Sequence, residues 1–256
     1  MRRIVIVDSD PAEINASKRK LYGLSTGEAF ATALAEADPS CATAIICPYD
    51  GDAILDLDDV NGVVFTGSAV EWNTQDTRAA PLAHAMRAVF AQGVPSFGSC
   101  NGLHLAASVL GGISDVSANG REIGLAKDIK LTQAGRVHPM MADRVDGYAV
   151  PCVHRDEVVR LPEGAVVLAG NAHTAVQAME YAQGGIRFWG VQYHPEYTLP
   201  FIGQRVRAWP DFDATVAADL QIAHTDPDAA NRLAVRYEDM QTSARTTEIK
   251  NWLASL

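Results

Sequence analysis

Residue types able to do chemistry together fall in three short stretches. The first is Val94-Pro95-Ser96-Phe97-Gly98-Ser99-Cys100-Asn101-Gly102-Leu103-His104. An apolar strand leads into Cys100 and a helix-forming run leads away from it. Gly98 and Gly102 flank the cysteine symmetrically, the layout of a nucleophile elbow, in which a strained turn lifts a side chain above a sheet. So tight a turn leaves no room for neighbouring side chains, hence glycine on both sides. The sulfur then sits at a helix start, where backbone N–H groups and the helix dipole favour the thiolate, the nucleophilic form. The second stretch is Gly190-Val191-Gln192-Tyr193-His194-Pro195-Glu196. His194 is the candidate base for Cys100, and Glu196 the carboxylate that orients the imidazole, the third role of a triad. Side chains two positions apart on an extended segment share a face, and Pro195 keeps His194 out of the helical region. The third stretch, Thr66-Gly67-Ser68, ends an apolar strand. N–H groups of Gly67 or Ser68 are candidates for one half of an oxyanion hole, and that of Asn101 for the other.

Other polar residues have plainer readings. Cys41, Cys47 and Cys152 read as core thiols. Gly120-Arg121-Glu122-Ile123-Gly124 and His154-Arg155-Asp156-Glu157 read as polar turns, the first of them bordering the pocket. None of His84, His104, His138, His154, His173 and His224 pairs with another histidine at helical metal-ligand spacing, so no metal and no cofactor are expected.

The elements must bring these stretches to one edge. Arg3 to Val7 is a continuous apolar run that suits a parallel strand buried on both faces. The stretch 10–25 is polar and uneven and reads as a long loop. Ser25 with Glu28 is a capping pattern that opens a helix over 25–37. Strands over 42–47, 62–68 and 94–97, a helix over 78–91, and a helix from Cys100 to Gly111-Gly112 follow. Strand alternating with helix predicts an α/β, doubly wound, mostly parallel sheet with right-handed crossovers and ligands at the carboxyl ends of its strands. From Ile113 on, short strands over 127–132, 149–153, 165–170, 175–180 and 186–193 predict a smaller antiparallel layer that returns His194 to the edge of Cys100. From Thr198 the pattern is helical to the end.

With 256 residues, the chain suffices for one large domain or one domain and an appendage. A net charge of −10 argues against binding a nucleic-acid backbone, which needs a basic surface. No apolar run approaches the ~20 residues of a membrane helix. Four cysteines without metal or CxxC spacing suggest free thiols in a reducing cytoplasm.

These residues resemble the class I (triad) glutamine amidotransferases, whose pattern is an elbow G-x-C-x-G-x-Q and a later H-P-E. Gly98 to His104 and His194-Pro195-Glu196 match it except at the last elbow position. Thr66-Gly67-Ser68 falls where the family places its first oxyanion loop. Arg121 to Gly124 and His154 to Val158 are similar to stretches of the amidotransferase domain of GMP synthetase. The resemblance implies a flavodoxin-like fold over residues 1–203, with 204–256 as a helical extension packed on it. It implies hydrolysis of a γ-glutamyl amide: Cys100 attacks, His194 and Glu196 assist, and Gly67, Ser68 and Asn101 hold the oxyanion. His104, where the family has a glutamine-contacting Gln, Leu103 and His154 become the substrate-binding candidates. In the family the ammonia passes to a synthetase partner or domain, and the residues after 203 show no glycine-rich phosphate loop for one. The elbow, the loop Thr66-Gly67-Ser68 and the ending His194-Pro195-Glu196-Tyr197-Thr198 are also similar to γ-glutamyl peptidases of the same superfamily, which cleave glutathione-like or other γ-glutamyl compounds without passing ammonia on. A non-catalytic binding protein on this fold is the third reading. The oligomeric state stays open.

Overall fold

A computed structural model describes residues 2–53 and 57–256. Strand and helix alternate as β1 (Arg3–Val7), α1 (Ala12–Tyr22), α2 (Thr26–Ala37), β2 (Ala42–Ile46), β3 (Gly62–Phe65), α3 (Ala80–Ala91), β4 (Ser96–Ser99) and α4 (Asn101–Val109). Then come β5 (Ile113–Val116), β6 (Glu122–Leu131), β7 (Tyr148–His154), β8 (Asp156–Arg160), β9 (Val166–Gly170), β10 (Ala178–Tyr181) and β11 (Phe188–Val191). Helices α5 (Leu199–Arg207), α6 (Ala214–Ile222), α7 (Pro227–Arg232), α8 (Thr242–Arg245) and α9 (Thr247–Ala254) complete the chain.

The main sheet runs β2-β1-β3-β4-β11-β10-β9-β6-β7. Strands β2, β1, β3, β4 and β11 are mutually parallel. The antiparallel portion, β10, β9, β6 and β7, extends the same sheet, and β5 pairs with β8 separately. The chain moves outward from β1 to β2 and then returns on the other side through β3 and β4. That reversal opens a crevice at the carboxyl ends, where sheets of this kind bind ligands. Register puts Phe65 beside Gly98 and Ser99 beside Val191, so Thr66-Gly67, Cys100 and the approach to His194 leave three adjacent strands at one level.

The expected loop over 10–25 is largely helix α1. Its inward face is polar, Asn15 and Lys18 being its buried residues. Apolar periodicity, the usual mark of a packed helix, is therefore missing. Helix α2 begins as expected: Ser25 Oγ accepts from the Glu28 N–H, and Glu28 Oε2 accepts from the Ser25 N–H. The two expected turns are only partly so: Glu122 to Gly124 is strand, and Arg155 alone bends the chain between β7 and β8. Glu122 opens β6, His154 closes β7, and the two residues face each other in register. Their polar side chains satisfy one another inside the fold, so polarity there does not mark a turn.

One face of the parallel strands packs Ile4, Val64 and Phe97 against Phe30, Leu34 and, from α9, Ile249, Trp252 and Leu253. The other packs Val63 and Phe65 against Leu82, Met86 and Leu103. Helices α5 to α7 bury Ile202, Ala217, Leu220 and Ala230 against Leu125 and Ala149 of β6 and β7. The expected division after residue 203 falls inside α5, and a Cβ on Gly62 of β3 would stand 2.7 Å from the Trp252 ring. Cys152 is buried; Cys41 and Cys47 are only half-buried at the strand β2 edge of the sheet, Cys41 packing against the rim of the core.

Candidate active site

Cys100 has φ 48° and ψ −102°, a conformation L-residues rarely adopt. The elbow is held by the Cys100 N–H donating to Val191 O at 2.8 Å and the His104 N–H donating to Cys100 O at 3.0 Å. The glycines do more than relieve the turn. A Cβ on Gly98 would lie 2.7 Å from the Gly102 carbonyl carbon, and one on Gly102 would collide with the Phe65 carbonyl. They let α4 descend onto β3 and β4. The first N–H groups of α4, that of Asn101 included, have no intrahelical acceptor and point toward the sulfur end of the helix.

His194 is buried, and its Nδ1 lies 2.6 Å from Glu196 Oε1. The pair meets through a turn, the Tyr197 N–H donating to His194 O at 3.2 Å, and not through an extended segment as the spacing suggested. Ser99 Oγ donates to the same Glu196 oxygen at 3.1 Å, and Tyr197 stacks on the imidazole with centroids 4.4 Å apart. On the far side of the ring, Nε2 lies 3.3 Å from Val153 O, and Cys100 Sγ lies 3.9 Å from the same oxygen. Burial disfavours the imidazolium, but Glu196 and then Cys100 outweigh it and push the His194 pKa up to about 9. A Cβ on Gly67 would stand 2.6 Å from His194 Cε1, so this loop closes onto the imidazole only as glycine.

The loop 66–70 is itself tied down. Asp10 Oδ1 accepts from the Ala69 N–H at 2.7 Å and from Ser68 Oγ at 3.0 Å, while its Oδ2 takes Lys18 Nζ at 2.5 Å and Thr26 Oγ1 at 2.8 Å. Both Asp10 and Lys18 are buried. Burial, the largest single influence, pushes the Asp10 carboxyl up, but Lys18, the Ala69 N–H and the Thr26 hydroxyl together hold it below its usual range.

A cavity of about 310 Å³ opens over the sulfur, lined among others by Ser68, Cys100, Asn101, His104, His154 and Arg205. His104 Nε2 lies 2.8 Å from Gln192 Oε1, and burial pushes the imidazole pKa down to about 4 against that hydrogen bond, so it is neutral at physiological pH. Leu103 does not reach the cavity: it is fully buried on the inward face of α4, with Phe188 and Gly190. His154 borders the cavity with its ring nitrogens committed, Nδ1 2.9 Å from Asp156 O and Nε2 2.9 Å from Glu122 Oε2. Three metal-type donors gather here, Glu122, His154 and His173, within 4.8 Å of one another. The Glu122 carboxylate is already filled by His154, Asn171 and Gln177.

Gln192 and Val153 have no role in the sequence reading, although Gln192 lies inside the stretch 190–196 and Val153 adjoins His154. Asp10, Lys18 and Arg205 have none there either; they come from elements with no apparent link to the elbow. The C-terminal helices hold the His194 loop from both sides. Tyr193 Oη donates to Glu248 Oε1 at 2.8 Å, Arg144 pairs with the Glu248 carboxylate at 2.6 and 2.8 Å, and Arg245 donates to Pro195 O.

The profile of the family described as glutamine amidotransferase class-I matches residues 23–207. The γ-glutamyl-L-1-hydroxyisopropylamide hydrolase of a Pseudomonas species is 31% identical, over 99% of this chain and 92% of its own. The glutamine-hydrolysing GMP synthase of Nitrosomonas eutropha is 34% identical over 57% of this chain, an alignment that spans 27% of the synthase. A solved glutamine amidotransferase structure from Thermotoga maritima superposes with a TM-score of 0.68 at 17% identity, over 99% of this chain and 97% of that one. With the profile spanning most of its length and one relative aligned nearly end to end, the chain belongs to the class I glutamine amidotransferase family.

Proposed function

We propose that the protein hydrolyses a γ-glutamyl amide through a γ-glutamyl thioester on Cys100. The observation that carries this reading is the imidazole of His194, fixed by Glu196 at 2.6 Å and sharing the Val153 carbonyl with the Cys100 sulfur. In this reading the sulfur, as thiolate beside the His194 imidazolium, attacks the γ-carbonyl carbon. The carbonyl oxygen becomes an oxyanion held by the N–H groups of Asn101 and of Gly67 or Ser68. Collapse breaks the C–N bond, and the leaving amine takes the proton from His194 Nε2. Water then attacks the thioester while His194 takes its proton. Glutamate leaves, and the thiolate–imidazolium pair is restored. Purified protein incubated with γ-glutamyl amides should yield glutamate and the free amine in equal amounts, and Cys100→Ala should abolish both. A protein that binds these compounds but releases neither product contradicts the reading.

The alternative within this chemistry is a γ-glutamyl hydrolase that passes no ammonia onward. It is favoured by His104 in place of the family's Gln and by the full-length likeness to a hydrolase of a γ-glutamyl alkylamide. Ammonia production measured with and without a synthetase partner separates the two. We further propose that 204–256 serve as an extension of one domain, supported by the packing of Trp252 in the main core. Four free thiols support a reducing, cytoplasmic setting; among the described residues no helix is long and apolar enough to cross a membrane.

A further inference from the structure

Three arginines line the cavity over Cys100, and among the described residues only one of them, Arg155, makes an ion pair. Arg155 holds Asp156 with two nitrogens, at 2.6 and 3.1 Å, and donates to Glu71 O with a third. Arg121 and Arg205 have no carboxylate within ion-pair distance among the described residues. Each lies instead near an aromatic ring: Arg121 Cζ is 5.7 Å from the centre of Trp209, and Arg205 Cζ is 5.8 Å from the centre of Tyr197. Arg205 Nη1 is also 3.5 Å from Tyr197 Oη.

A guanidinium beside a ring is restrained in position while its in-plane N–H donors stay available, and those donors match a carboxylate bidentately. Two such groups in one 310 Å³ cavity, with the Cys100 sulfur in its wall, leave its lining with more arginines than acids: Arg121, Arg155 and Arg205 against Glu71 and Asp156. Asp156 is paired with Arg155, while Glu71 meets Arg155 only through its backbone carbonyl; among the described residues neither acid reaches ion-pair distance of Arg121 or Arg205. Arg205 also has a defined place relative to the chemistry. Its ring partner Tyr197 stacks on His194 at 4.4 Å, and His194 is the residue that would protonate the departing amine.

We propose that Arg121 and Arg205 form a carboxylate-binding site in the Cys100 cavity, which takes a carboxylate of the γ-glutamyl amide and orients its carbonyl over the sulfur. The proposal rests on the γ-glutamyl reading above and extends it to substrate recognition. The carboxylate has two sources, the α-carboxylate of the glutamyl half or one on the amine half, as in a γ-glutamyl amino acid.

The test compares wild type with Arg121→Gln, Arg205→Gln and the double variant on four amides. These are L-glutamine, 4-aminobutanamide (glutamine without its α-carboxylate), γ-glutamylethylamide and γ-glutamylglycine. Loss of a charge-assisted contact should lower kcat/KM by about 10- to 100-fold, mainly through KM. A loss on every compound bearing the α-carboxylate, with 4-aminobutanamide unaffected, assigns the site to the glutamyl half. A loss confined to γ-glutamylglycine assigns it to the amine half. Equal kcat/KM in wild type and double variant on all four overturns the proposal. Calorimetric titration of L-glutamate and γ-glutamylglycine into Cys100→Ala, with and without the arginines, reads the site without turnover. Arginine-dependent binding in a protein that hydrolyses none of the amides would uphold the site and refute the hydrolysis. Binding that ignores the arginines would refute the site alone.

Discussion

At the scale of the residue, two imidazoles in one cavity are set to opposite tasks. His104, sealed in and bonded to Gln192, is pushed down to about 4, while His194, beside Glu196 and Cys100, is pushed up to about 9. His104 therefore offers a substrate neutral ring atoms, its Nε2 already engaged by Gln192. A glutamine at that position would offer an amide with both donor and acceptor free to turn. His104→Gln should raise kcat/KM for free glutamine by about 10-fold or more relative to other γ-glutamyl amides, since hydrogen-bonding sites discriminate strongly when a partner is missing. Efficient wild-type glutaminase activity that the substitution leaves unchanged would return His104 to a packing role. For His194 the folded pKa lies above the ordinary 6.5. Its imidazolium is thus fully present below that value and lost as pH rises through about 9. Activity should fall along the same limb, and Glu196→Gln, which removes the largest stabilising influence, should move the fall to lower pH. The kcat/KM profile over pH 6 to 10 reads both; a limb that stays put in the variant would contradict the assignment. The elbow was readable because Gly98 and Gly102 flank Cys100 symmetrically, although the collision that Gly102 avoids, with the Phe65 carbonyl, comes from a distant strand. Gln192 was not, because its role exists only once α4 and the segment after β11 lie side by side.

At the scale of the element, the active loops are braced by buried ion pairs that come from distant sequence. Lys18 and Asp10 fix the loop 66–70 from behind, and Arg144 with Glu248 fixes Tyr193 just ahead of His194. Removing one partner of such a pair strands a charge in the interior, at a cost of about 3 to 5 kcal/mol. Glu248→Gln should therefore lower the unfolding free energy by about that amount, measured by urea titration, and should lower kcat further by loosening the His194 loop. A change below about 1 kcal/mol would show that the pair braces nothing. These braces explain what the sequence hid. Strand β3, the capped start of α2 and the strand–turn–helix at Cys100 carry local signals strong enough to read without tertiary contacts. Helix α1 does not, because its buried side is Asn15 and Lys18 and its partners are Asp10 and Thr26. Glu122 and His154 mislead for the same reason, each polar residue being satisfied by the other across β6 and β7.

At the scale of the whole molecule, the C-terminal helices belong to the machinery of the fold. Trp252 and Leu253 share a core with Ile4 and Phe97, so the strand that delivers Cys100 packs on the last turns of the chain. Ending the chain before α8 should abolish a single cooperative thermal transition and activity together; a truncated protein that melts cooperatively and turns over substrate would make 242–256 an appendage. The doubly wound sheet then supplies one edge at which three adjacent strands deliver the loop at Gly67, Cys100 and the approach to His194, and the chemistry proposed there has a covalent signature. The most direct measurement is mass spectrometry of acid-quenched enzyme taken during turnover of a γ-glutamyl amide. A γ-glutamyl group is expected on the peptide that contains Cys100, absent from the peptides of Cys41, Cys47 and Cys152, and accumulating in Glu196→Gln if deacylation slows. Turnover by wild-type protein with no acyl group trapped, and undiminished turnover by Cys100→Ala, would contradict a thioester on Cys100.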